Sequence, residues 1–191
     1  ECTGIVTTVW ATVDVIKKAH ELGANFIICH EALFYNRGDH QEWLLNDNNK
    51  TYLEKKKLLE DTCITVWRFH DYIHSGVPIN GIYTDGIFYG VCKELGWNNN
   101  ILKGYEERPT RFEIKETTLK NIAELFMNKF NLTGVKTIGR PNSKIKNIWI
   151  CGHIMENDND KISYIEKENI NLVISLETID YTVSEYVKDS S

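Results

Sequence analysis

A chain of 191 residues with 42% hydrophobic and 26% charged residues can bury a core, and it is too apolar for a disordered segment. The net charge of −5 excludes the basic footprint of a nucleic-acid or anionic-membrane binder, so neither partner is expected. No apolar run approaches the roughly 18 residues of a membrane span. No signal peptide is visible, and the five cysteines, without a CxxC spacing, read as reduced thiols of a cytoplasmic protein.

In chain order, residues 4–10 are short and β-branched, a strand. From Thr12 the spacing of Val13, Ile16, Ala19 and Leu22 becomes helical, with Gly23 as the stop. Residues 26–29 read as a buried strand, and 36–49 as a polar loop anchored by Trp43, Leu44 and Leu45. A surface helix over 53–60 leads to a strand at 64–69. This alternation implies a parallel sheet with helical crossovers, and His30 and His70 should leave it at the same edge.

Residues 75–84, with Pro78, read as a loop, and Asp85 as the cap of a helix carrying Ile87, Phe88, Val91, Cys92 and Leu95, stopped by Gly96. A helix is expected over 117–130, strands at 134–138, 146–151 and 172–175, a helix near 161–168 and a last one from Tyr181. The Asn- and charge-rich stretch at 98–109 suggests two lobes, 1–97 and 98–191. The opening Glu1-Cys2, without Met, and a stop at Ser191 within a helical pattern suggest a piece of a longer protein.

The chemistry concentrates at two strand ends. Phe26-Ile-Ile-Cys29 runs into His30-Glu31, and Ile64-Thr-Val-Trp-Arg-Phe69 into His70-Asp71-Tyr-Ile-His74. The C-terminal ends of parallel strands are where α/β proteins place their sites. His30-Glu31 is either a ligand pair or a hydrogen-bonded His beside a solvated Glu. If the chain turns helical after Phe69, His70 and His74 share one face, a spacing suited to a common divalent ion. Imidazole with carboxylate favours Zn, Fe, Mn, Co or Ni over Ca or Mg. Gly152-His153 with Glu156 is either a further ligand pair or a surface turn, and Glu177 either lines the same crevice or faces solvent. Cys29, in an apolar run, reads as a structural thiol.

These motifs resemble the NIF3 family of dinuclear-metal proteins. The resemblance rests on Gly4-Ile-Val-Thr-Thr, Glu21-Leu-Gly-Ala-Asn-Phe-Ile-Ile, and His30-Glu31-Ala-Leu-Phe-Tyr35. It continues through Asp85-Gly-Ile-Phe-Tyr-Gly, Glu94-Leu-Gly-Trp97 and Ile165-Glu-Lys-Glu-Asn-Ile-Asn-Leu-Val-Ile-Ser. Family members usually have Ile-Ile-x-His-His-Pro and, after a further strand, His-Thr-Asn-Leu-Asp. Here Glu31 stands where the second His is common, Ala32 replaces Pro, and His74 occupies the place of the usual Asp. The exchange keeps two imidazoles and one carboxylate, which makes this a His-Glu/His-His branch. The family's later Gly-His…Glu motif falls beyond Tyr186-Val-Lys-Asp189, so its ligand role is not carried onto His153.

The resemblance implies an α/β fold with parallel and mixed sheets, flanking helices and two lobes around a metal-lined crevice. It implies two divalent ions held by His30, Glu31, His74 and His70, the last ranked below the others, and a toroidal homo-hexamer. A GTP cyclohydrolase label is attached to the family by similarity. The leading expectation is a metal-dependent hydrolase of a nucleotide or phosphoester, with Asp71 and Glu177 as candidate acid or base and a small-molecule substrate. The alternative is a non-catalytic metal-binding scaffold or regulatory assembly protein.

Overall fold

The structure, a computed structural model, describes residues 1–154 and 159–178. Packing divides the chain into two units, Glu1–Ile73 and His74–Ser191.

The first unit alternates as expected: β1 (Ile5–Thr8), α1 (Val13–Glu21), β2 (Phe26–Cys29), α2 (Glu42–Asn46), α3 (Lys50–Thr62) and β3 (Thr65–Arg68). The three strands form a parallel sheet in the order β1-β2-β3, with Ile5 opposite Phe26 and Phe26 opposite Thr65. The Thr12 hydroxyl accepts the Val15 N–H at 3.3 Å and starts α1, whose Ile16 and Ala19 bury against Ile27, Cys29 and Ile64. The Asn49 side chain starts α3 in the same way. Residues 36–49 are less loop-like than expected, because they contain the single-turn helix α2. Only Leu44 of the supposed anchor is buried, against Phe34 and Tyr52, while Trp43 and Leu45 are exposed.

The helix α4 (Asp71–Ser75) crosses the division between the units. The second unit then has β4 (Val77–Ile79), β5 (Ile82–Thr84), α5 (Gly86–Leu95), β6 (Arg111–Thr118), α6 (Leu119–Phe130), β7 (Lys144–Ile154), α7 (Asn159–Lys167) and β8 (Leu172–Thr178). The expected loop at 75–84 is a hairpin. Asn80 and Gly81 both have positive φ, 50° and 84°, which is the backbone of a two-residue turn matched to strand twist. Strand β6 is an addition to the expected elements, although Phe112 and Ile114 alternate with exposed Glu113 and Lys115. It consumes Thr117, and the Thr118 hydroxyl caps α6 at Asn121 N–H, so the helix begins at Leu119. No strand forms at 134–138, where Gly134 precedes a half-exposed Val135 and Gly139-Arg-Pro follows. β7 pairs antiparallel with β6 and parallel with β8. Their apolar faces meet α5 and α6 in a core of Phe88, Cys92, Trp97, Phe112, Ile122, Ile145 and Ile148. The helix expected from Tyr181 lies outside the described residues.

One glycine binds α4 tightly to the hairpin. Gly76 has φ +112°, and a Cβ there would meet the Tyr83 backbone carbon at 3.1 Å. Gly76→Ala is expected to cost about 2 kcal/mol, from strained backbone and crowding together. Chemical denaturation of the variant beside the parent measures it.

Candidate metal centre

Strand pairing carries the chain right up to each candidate side chain. The His30 N–H donates to Thr8 and Val9 carbonyls at 3.1 and 3.2 Å, the Glu31 N–H to Val9 at 2.9 Å, and the Phe69 N–H to the Cys29 carbonyl at 2.7 Å. Neighbouring parallel strands therefore deliver His30 and His70 side by side, with ring centroids 4.5 Å apart. Helix α4 begins at the next residue and sets His74 one turn beyond His70, so the helix itself fixes that spacing. One ring nitrogen from each of His30, His70 and His74 lies within 4.8 Å of the other two, and all three residues are half-buried. This group could hold a metal ion.

Carboxylates stand beside the imidazoles. Asp71 Oδ1 is 2.9 Å from His70 Nδ1, and that hydrogen bond, before any other cause, holds the Asp71 carboxyl below its ordinary range. Asp85 Oδ2 is 2.9 Å from His74 Nδ1. Glu31 Oε1 lies 3.8 Å from His30 Nε2, close to the cluster but not a member of it. Three imidazoles fit a borderline ion such as Zn, Co, Ni or Fe and suit Ca or Mg poorly. Three protein ligands also leave a tetrahedral ion one position for water or substrate.

The segment after His30 is held by polar groups, one of them buried. Lys55, 4% exposed, donates to the Leu33 carbonyl at 2.6 Å and lies over the Phe34 and Tyr35 rings. Burial lowers the Lys55 pKa. The Asp39 carboxylate accepts the Phe34 N–H at 2.6 Å, and Arg68 donates to the Arg37 carbonyl at 2.9 Å. Burial, followed by the Asp39 charge, pushes the Cys29 thiol up, so it is protonated at neutral pH and unsuited to ligate.

Of the residues singled out from sequence, the structure brings His30, His70 and His74 together and leaves Glu31 at their side. His153 and Glu177 behave otherwise. His153 is not in a turn: β7 runs through it to Ile154, with a register shift at Gly152, where φ is +74°. It stands opposite Glu177 in β8, and the two exposed side chains pair at 3.0 Å. Glu156 lies outside the described residues. Sequence reasoning gives Asp85 only a capping role; its contact with His74 spans 11 positions and no local pattern signals it.

Three comparisons with known proteins bear on this arrangement. A family model described as Duf34/NIF3 (NGG1p interacting factor 3) matches residues 1–156. The search of curated proteins gives no match. Among solved structures, the chain is similar to Staphylococcus aureus protein SA1388, with TM-score 0.68, 18% identity, and coverage of 100% of this chain and 72% of that one. It is also similar to a Bacillus cereus protein related to NIF3, with TM-score 0.66, 12% identity, and coverage of 99% and 76%. For TTHA1606 from Thermus thermophilus the values are 0.65, 14%, 100% and 69%. At these identities the likeness is one of fold.

Proposed function

The chain belongs to the Duf34/NIF3 family, and we propose that it is a divalent-metal-dependent hydrolase of a nucleotide or phosphoester. The observation that carries this reading is the cluster of three imidazoles, two at adjacent parallel strand ends and one on the helix that follows, with carboxylates beside it. His30, His70 and His74 would hold one ion. Glu31 would serve a second ion together with ligands outside the set described above. A divalent ion in such a site supplies Lewis acidity toward a substrate oxygen.

The remaining chemistry falls to the chain's own groups. Asp71 would orient His70 through Nδ1, and the same hydrogen bond holds its carboxyl below the ordinary range. Glu31, one-third exposed and next to His30, would bring the carboxylate charge that helps neutralise the second ion. The acting form would be a homo-oligomer in the cytoplasm, a hexamer by family likeness. No helix among the described residues is long and apolar enough to cross a membrane.

The test is metal titration of chelator-stripped protein with Zn2+ and Co2+, followed by turnover on a panel of nucleotides and phosphoesters. Tight binding with hydrolysis that Glu31→Gln abolishes supports the proposal. Tight binding with no turnover on any substrate leaves the scaffold reading in its place, and no binding removes both.

A further inference from the structure

We propose that Asp85 is the positioning residue for His74, fixing which ring nitrogen is presented to the metal. This rests on His74 being a ligand, the reading given above. Asp85 is 3% exposed and uses each carboxylate oxygen differently. Oδ1 accepts the Ile87 and Phe88 N–H groups at 3.0 and 3.2 Å and caps the ten-residue α5. Oδ2 meets His74 Nδ1 at 2.9 Å, with Arg108 Nε at 3.6 Å on its flank. The Asp85 N–H donates to the Glu107 carbonyl at 2.7 Å, so backbone and side chain are both tied down.

A carboxylate offers only lone pairs. His74 Nδ1 must therefore carry the hydrogen, and in the neutral ring the lone pair is left on Nε2. The Phe88 ring, 6.4 Å away between centroids, flanks the imidazole from the same helix. Asp71 holds His70 through the same atom type but is itself 79% exposed, a looser support than a buried cap. A cap alone needs one oxygen. Here the second oxygen is committed to His74, and α5 sets its direction. A carboxylate behind a histidine ligand is a recurrent device for fixing tautomer and ring orientation.

Asp85→Asn separates the two roles. Asn caps a helix about as well as Asp, so the carbonyl oxygen keeps the Ile87 and Phe88 donors and α5 stays intact. The amide NH2 then faces His74 Nδ1 and donates to it. This moves the ring hydrogen to Nε2 and removes the lone pair that the metal needs.

The experiment is long-range 1H–15N NMR of the histidine rings in metal-free protein, assigned with His74→Ala, followed by Zn2+ titration. The parent should show the Nδ1–H tautomer of His74, and Asp85→Asn the Nε2–H tautomer. The Asn variant should also lose about 10- to 100-fold in Zn2+ affinity with its thermal midpoint nearly unchanged. Asp85→Ala, which loses the cap as well, should melt lower. An Nε2–H ring in the parent overturns the proposal. So does an Asn variant that binds Zn2+ like the parent while His74→Ala binds weakly, since Asp85 is then only a cap. Undiminished binding by His74→Ala overturns the ligand reading itself, and this proposal with it.

Discussion

His30→Ala is expected to lower affinity for Zn2+ or Co2+ by at least about 100-fold, because it removes one of the three imidazoles that cluster among the described residues. His70→Ala should do the same, since the two rings lie side by side at adjoining strand ends. Glu31→Gln should cost about 10-fold or less for the first ion, because Glu31 lies outside the trio. Isothermal titration of the three variants gives the ranking directly. Equal losses for Glu31→Gln and His30→Ala would mean that the carboxylate is a full ligand. A His30→Ala protein that binds like the parent would dissolve the site. Neither histidine substitution should disturb the fold much, as both rings are only half-buried.

The largest loss of stability is expected from Phe112→Ala. Phe112 is fully buried in β6, with the Trp97 ring 5.3 Å away and Ile148 opposite it across the strand pair. Removing the ring leaves a cavity walled by both sheet and helix side chains, at a cost of about 3–5 kcal/mol. For a chain of this length that is a fall of about 10 °C in the thermal midpoint. Calorimetry on the variant measures it; a fall of only a degree or two would mean the core closes over the space. Phe112→Leu retains most of the volume and should recover most of the loss.

The first unit can be read from sequence because its signals are local. β2 matches the expected span residue for residue, and Thr12 and Gly23 bracket α1 as caps and stops should. The three histidines are legible for the same reason: two apolar runs end in His30 and His70, which parallel pairing brings together, and His74 follows His70 at helical spacing. The misses have physical causes as well. Asn80-Gly81 is a strong hairpin signal, but its flanking strands are three residues each and Pro78 breaks the pattern. β6 shows alternation only from Phe112 to Lys115, and its threonine end serves a strand and a helix cap at once. Residues 134–138 are β-branched enough to suggest a strand, yet among the described residues no strand pairs with them. Asp85 shows where local reading stops: its cap is visible, and its second oxygen, engaged by a side chain 11 positions earlier, is not.

Parallel pairing also sets the order in which the molecule comes together. Ile79 and Ile82 meet across a two-residue turn, a closure of microseconds. Ile5 must find Phe26 across α1, and Phe26 must find Thr65 across α2 and α3, searches that local turns do not help. His30 and His70 sit at the far ends of these slowly paired strands. An ion meeting the chain early in folding finds no assembled imidazoles to grip, and one meeting the finished sheet finds both. A metal held by the finished site is therefore expected to slow unfolding and to leave the folding rate unchanged, which stopped-flow kinetics with and without Zn2+ would measure.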